Sequence, residues 1–266
     1  MMQVMNAIAP FMKQPPRSPT PASCAPVIFI ERNRLGASTQ EELDMSNNFT
    51  SHFSADDAAL LLIDFQPQMF MGVESHDRNA IKNNLQIIAK SAKLFNVPTV
   101  LSTVTAETFA GPFVPEVTEG VFPGHEVVDR TSINAWLTPN FVKAVEATGR
   151  KRLVIAGLWT GACAAFNVIE GLRRGYDVFF VADACGDSSI QAHERAVDRM
   201  IQAGAVPTTA QHFVYELQQD WSRQETYQGV MDIMKAHTAF GTQVFFSKWA
   251  LGGHDRTLKA AQLTAA

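Results

Sequence analysis

Residues 151–175 read KRLVIAGLWTGACAAFNVIEGLRRG. The run LVIAGL is apolar without alternation, which is what a strand covered on both faces requires. After a glycine-flanked turn at Gly161, CAAFNVIEGLRRG returns as a helix that Gly175 closes, with Arg173 and Arg174 favourably placed at its carboxyl end. The stretch is therefore a strand–turn–helix unit, and a thiol, Cys163, stands where the strand gives way to the helix. A small core residue would fill such a turn equally well. The rest of the chain decides between a packing and a chemical role.

The same alternation repeats outward. AALLLID (58–64) is a first buried strand, and NAIKNNLQIIAKSAKLFN (79–96) places Ile81, Leu85, Ile88, Ala92 and Phe95 at helical spacing. VPTVLSTVT (97–105) is a second strand with Pro98 at its start, where a missing ladder donor matters least. An irregular segment, 106–125, leads to a short strand EVVDR (126–130). TPNFVKAVEATG (138–149) is a helix with Thr138 as N-cap, Pro139 at the first position and Gly149 as terminator. Beyond the opening stretch come strand DVFFVADAC (177–185), helix SSIQAHERAVDRMIQAG (188–204) and strand AVPTTAQHF (205–213). Six strands joined by helices predict a three-layer α/β/α fold with a six-stranded parallel sheet, Rossmann-like, in the order 3-2-1-4-5-6.

The domain is expected to span 55–225. Residues 1–54, with KQPPRSPTPAS and a polar stretch, read as a disordered extension, with a targeting peptide or a biological start at Met45 as alternatives. Residues 226–266 read as a helical segment, ETYQGVMDIMKAHTAF, and a weakly patterned tail, for packing or oligomer contact.

The 266 residues are 46% hydrophobic and 18% charged, enough for one substantial core, and the net charge of -4 gives no footprint for nucleic acid. No apolar run approaches a membrane span. Three cysteines, Cys24, Cys163 and Cys185, form neither a disulfide framework nor a CxxC metal pattern, so the expected compartment is the cytoplasm.

In an open parallel sheet ligands sit beyond the carboxyl ends of the strands where the strand order reverses. Three reactive side chains stand there: Asp64 after the first strand, Arg130 at the end of the third and Cys163 after the fourth. A thiol at a helix N-terminus is favoured as thiolate and its neighbouring amides can hold an oxyanion. A carboxylate would serve as its base, and a cation would keep that carboxylate ionised. Cys185 and Asp183, by contrast, read as a buried apolar residue and a structural carboxylate, and His193 as a helix-surface or interface residue.

With these residues in view, the sequence resembles the cysteine hydrolases of the isochorismatase-like superfamily over roughly 56–221. The resemblance rests on LLLIDFQPQMF, DRTSINAW and GLWTGACAAF, in that order, and is closest to the branch related to YcaC. It implies an Asp-Lys-Cys triad, a thioester intermediate and hydrolysis of a C–N bond in an amide-like small molecule. Asp64 and Cys163 match directly, whereas the lysine position holds Arg130, which keeps the charge but not the capacity to pass a proton. The resemblance further implies a non-proline cis peptide at Leu158–Trp159, with the backbone N–H groups of Trp159 and Cys163 as the oxyanion hole, and a homo-oligomer.

For substrate contacts the reading assigns Phe65, Gln66, Phe109, Asn134, Trp136 and Thr160, with Trp159 beside them; the aromatics would serve equally as plain core. The metal-using amidases of the superfamily carry an Asp and histidines after the second strand. The matching stretch here offers Glu107 alone, with His125 too far along, so neither a metal nor a cofactor is expected. Two other functions stay open: a silent family member kept as a binding or assembly module, and a redox-responsive thiol protein.

Overall fold

The structure, a computed structural model, describes residues 52–250. Six strands form one all-parallel sheet: β1 Ala58–Ile63, β2 Thr99–Val104, β3 Val127–Arg130, β4 Arg152–Gly157, β5 Asp177–Val181 and β6 Val206–Thr208. Their order is β3-β2-β1-β4-β5-β6, as the alternating pattern predicts. The central strand β1 has no exposed residue and pairs with β2 on one side and β4 on the other, Ile63 lying opposite Ser102 and Gly157. Truncating one of its leucines to alanine would cost about 2–5 kcal/mol.

Helices cover both faces. On one, Arg78–Leu94 packs against Ala210–Gln218 and Gln224–His237. The helices Pro139–Ala147, Ala165–Arg173 and Ile190–Gln202 belong to the other crossovers, and Gly171 gives close approach between Ala165–Arg173 and β5, where an added Cβ would lie 3.2 Å from Val178. The predicted helix spacing is realised in Arg78–Leu94, which buries Ile81, Leu85, Ile88 and Ala92 and is capped by Asp77 through the Ala80 amide.

Several local expectations need correction. The last strand stops at Thr208, and AQHF, read as strand, begins the helix Ala210–Gln218 because Thr209 accepts from the His212 amide and caps it. The segment after β2 is not wholly irregular: it holds a π-turn, Ala106–Ala110, and a short helix, Pro115–Thr118. Thr138 precedes the helix Pro139–Ala147 as expected, yet its hydroxyl makes no cap hydrogen bond. A further helix, Ala239–Ala250, occupies part of the weakly patterned tail.

Residues 1–51 of the expected extension, with Cys24 and the targeting alternative, and 251–266 of the tail lie outside the described residues. Phe53, assigned to the extension, is fully buried with its ring centroid 5.1 Å from that of Phe179 and 5.5 Å from that of Phe213. Val230, Met231, Ile233 and Met234 are buried on the helix Gln224–His237. No helix among the described residues is long and apolar enough to cross a membrane.

Candidate active site

The carboxyl ends of β1, β3 and β4 bring Asp64, Arg130 and Cys163 into one buried group. The chain leaves β1 through Asp64 in the left-handed region, φ 60°, a conformation that aspartate tolerates better than most residues. Its amide donates to Ser102 O (2.9 Å) and its carbonyl accepts from Gln66 N (2.8 Å). Arg130, on β3, lies two inter-strand spacings away, about 10 Å. Its long side chain crosses β2, and Nη2 donates to Asp64 Oδ2 at 2.8 Å, with both side chains shut off from solvent. Among the described residues Asp64 Oδ1 and Arg130 Nε and Nη1 make no hydrogen bond of ordinary geometry.

Cys163 lies in the π-turn Thr160–Ala164 that precedes the helix Ala165–Arg173. The peptide bond Leu158–Trp159 is cis. Four contacts hold the turn: Thr160 N donates to Gly186 O (2.9 Å), Gly161 N to Asp187 Oδ2 (2.6 Å), Thr160 Oγ1 meets His193 Nδ1 (2.9 Å), and Asn167 Nδ2 donates to Cys163 O (2.5 Å). Asn167 also accepts from Ala135 N and from Trp136 Nε1, both at 3.0 Å, so it joins the cysteine turn to the turn after β3.

The pull of the helix N-terminus toward thiolate is outweighed in the folded chain. Burial pushes the Cys163 thiol well above the ordinary range, and the adjacent Asp64 charge and its hydrogen bond push it further. Arg130 and the Trp159 N–H, which faces the sulfur, oppose the shift without reversing it. Burial also raises the Asp64 carboxyl, against the pull of Arg130 and Cys163. The site thus holds a protonated thiol beside a carboxylate of increased basicity, the arrangement in which a proton can pass from sulfur to oxygen as the sulfur attacks.

Of the expected substrate contacts, several are already spent. Gln66 is fully buried: Nε2 donates to Val104 O (3.1 Å) and Gly111 O, and Oε1 accepts from Val104 N (2.9 Å), so it ties the end of β1 to the end of β2. Phe65 is core, packed on Phe70 and Phe113. Trp136 is buried against Phe141 and Tyr176. Thr160 is engaged with His193, which is buried and not a surface residue. Asn134 accepts from Trp136 N through its side chain and lines a surface pocket with Ala165 and Phe166. Trp159 donates through its indole N–H to Met69 O (2.8 Å). Phe109 is exposed on the π-turn after β2.

His125 is bonded to Thr99 O at the opposite end of β2, remote from Asp64. Cys185 is buried, accepts from Gly157 N, and has its thiol pushed up to about 12 by burial. Asp183 accepts from Ala210 N, a structural role. Sequence reasoning missed Asn167 and Asp187. A polar side chain four residues after Cys163, on the helix face that also buries Ala165, Val168 and Gly171, was the one signal for Asn167.

Fold and site together define a doubly wound α/β protein with an acid, a cation and a thiol gathered where the strand order reverses. Residues 58–212 match the isochorismatase domain, and the chain belongs to the isochorismatase family of hydrolases. Probable hydrolase YcaC of Escherichia coli (strain K12) is 41% identical over 167 residues, 62% of this chain and 80% of that protein. The secreted isochorismatase effector Isc1 of Phytophthora sojae is 27% identical over 154 residues, 56% of this chain and 72% of that protein. Among solved structures, YcaC from Pseudomonas aeruginosa with hexane-2,5-diol and covalent acrylamide superposes with a TM-score of 0.71 at 36% identity, covering 74% of this chain and 97% of that one. Escherichia coli YcaC, described as an octameric hydrolase of unknown specificity, gives 0.71 and 36% over 75% of this chain and 97% of that one.

Proposed function

We propose that the chain is a cysteine hydrolase that cleaves an amide-like C–N bond of a small molecule through a thioester on Cys163. The observation that carries the reading is the juxtaposition of a buried Cys163 thiol with a buried Asp64 carboxyl that Arg130 holds at 2.8 Å; burial raises both the thiol and the carboxyl. In the first half-reaction Asp64 takes the thiol proton as the sulfur bonds to the carbonyl carbon. The oxyanion forms against the N–H groups of Trp159 and Cys163, and Asp64 returns the proton to the nitrogen as the C–N bond breaks. In the second, Asp64 takes a proton from water, the hydroxyl adds to the thioester carbon, and the thiolate leaves and is reprotonated. Arg130 holds Asp64 in place and compensates its charge; no proton moves through it.

The test is intact-protein mass spectrometry of wild type and Cys163→Ala during incubation with small amides and ureido compounds. A transient acyl adduct on wild type alone, lost as ammonia or amine appears, is the expected result. Turnover that survives in Cys163→Ala overturns the reading.

A second reading, a member that has kept the fold and lost turnover, draws on one observation: the cation beside Asp64 is an arginine. Arg130→Lys distinguishes the two, because a silent enzyme would gain turnover on the same panel. The octameric assembly described for Escherichia coli YcaC supports a homo-oligomer here, which sedimentation velocity would test. The free thiols of Cys163 and Cys185 support a cytoplasmic location.

A further inference from the structure

A second cluster of potential ligands lies at the other end of the sheet. The His52 carbonyl accepts from Nη1 of Arg152, the first residue of β4 (2.6 Å), whereas Cys163 lies beyond the last residue of that strand. The length of β4 separates the two sites by about 20 Å. At this end His52 Nδ1, His212 Nε2 and a Glu216 carboxylate oxygen all lie within 4.8 Å of one another. We propose that these three residues bind a divalent transition-metal ion, Zn²⁺ in the first instance, which clips the segment before β1 to the helix Ala210–Gln218.

The geometry supports a cation over a plain ion pair. His212 Nε2 is 3.0 Å and His52 Nδ1 3.8 Å from the same oxygen, Glu216 Oε1. Zinc bonds of about 2.0–2.1 Å to nitrogen and oxygen set neighbouring ligand atoms of a tetrahedron about 3.3–3.4 Å apart, so the observed separations bracket the required ones. Two imidazole nitrogens and a carboxylate oxygen each carry a lone pair, and a metal ion placed among them accepts one from all three groups.

The ligands are also held in place before any ion arrives. Glu216 is buried, and its other oxygen, Oε2, accepts from Phe53 N at 2.7 Å, which leaves Oε1 as the free arm of a monodentate ligand. Phe53 is locked in the core and fixes the chain at His52, and Arg152 holds the His52 carbonyl. His212 and Glu216 are one helical turn apart on the same face. Above them lies a surface pocket of about 410 Å³ that Tyr215 and Gln219 also line, room for solvent as a fourth ligand. The loop that argued against a metal in the active site plays no part here.

The experiment titrates Zn²⁺ into the full chain, stripped with chelator and exchanged into metal-free buffer, by isothermal calorimetry. Wild type should bind one ion per chain at this site and gain thermal stability on binding. His52→Ala, His212→Ala and Glu216→Gln should each weaken that binding by roughly 100-fold, the upper end of what even an outer-shell loss achieves. Cys163→Ala should bind as wild type does. His52 is largely exposed, so its replacement guards against a variant that fails through misfolding. The absence of binding tighter than millimolar in wild type, or equal binding by wild type, His52→Ala and His212→Ala, would overturn the assignment.

Discussion

Arg130 reaches across β2 to place Nη2 2.8 Å from Asp64 Oδ2, with neither side chain exposed. Two full charges removed from water hold together only because each is the other's partner. The atoms left over are informative. Asp64 Oδ1 and Arg130 Nε and Nη1 make no hydrogen bond of ordinary geometry among the described residues. Native structures leave few buried polar atoms unmatched, so these are the positions at which a substrate or water would complete the set.

Breaking the pair from one side should be costly. Arg130→Met leaves the Asp64 charge buried and uncompensated, and is expected to lower stability at neutral pH by about 3–5 kcal/mol and to lower turnover. The double variant Asp64→Asn/Arg130→Met removes both charges and should recover most of that stability but none of the activity. Urea denaturation of the single and double variants measures the coupling. Additive losses would show that the two groups do not act as a pair.

The raised Asp64 carboxyl fixes the direction of the pH dependence. As a base it must be ionised, so kcat/KM should rise with pH through an acid limb whose midpoint lies above the usual carboxylate value of 3.8. Stability runs the other way: a group raised on folding contributes most below its unfolded value of 3.8 and loses that contribution as pH climbs through the folded one. Relative to Asp64→Asn, wild type should therefore lose stability as pH climbs through the acid limb. An acid limb at or below 3.8 would remove Asp64 as the base.

A buried thiol held protonated should resist alkylation. Free cysteine gains reactivity as pH passes about 8.5, whereas Cys163 in the folded chain should react with iodoacetamide slowly and without an inflection near that value. Cys185 should be inert until the protein unfolds. Peptide mapping after timed alkylation reads both sites. Rapid modification of Cys163 near neutral pH would indicate a resting thiolate and favour the redox reading.

Replacing Gly72 tests the support behind the turn. The glycine lies against the Trp159 indole, and a methyl group at that position would fall well within van der Waals contact of Trp159 Cζ2. Because φ at Gly72 is -84°, the backbone itself accepts alanine, and the cost is steric alone. Gly72→Ala should destabilise by about 1–3 kcal/mol and lower kcat by displacing Trp159 from its bond to Met69 O. An unchanged melting temperature and kcat would show that the indole has room to move.

The sheet order and the three reactive side chains were legible because continuous apolar runs, helical spacing and strand-end position are local properties of the sequence. The contacts that orient the cysteine turn were not. Asp187 and His193 meet Gly161 and Thr160 only once the chain around the helix Ile190–Gln202 packs on the cysteine turn, and Asn167, although four residues from Cys163, finds Ala135 and Trp136 about 30 residues away. Gln66 was misread for the same reason: its partners lie 38 and 45 residues away, and its carboxamide is consumed there. How far the helix N-terminus favours thiolate was also not legible, because it depends on burial, and Cys163 is buried beside a negative group.

His193 supplies a separate pH test. Its ring stands 4.5 Å from that of His76, and Nδ1 meets the Thr160 hydroxyl in the cysteine turn. Burial lowers its pKa from 6.5, with the neighbouring His76 charge adding to the shift and Asp187 and Glu194 opposing it. A group depressed on folding gives stability that is full above its unfolded value and is lost as pH falls through the folded one. Wild type should therefore lose stability as pH drops from 6.5, and His193→Asn, which retains a partner for Thr160, should lose less over the same interval. Thermal unfolding of both proteins across about pH 5 to 8 makes the comparison. Parallel curves would mean that protonation of His193 does not open the turn, and the acid sensitivity would have to be sought at His237, which burial and Lys90 also depress.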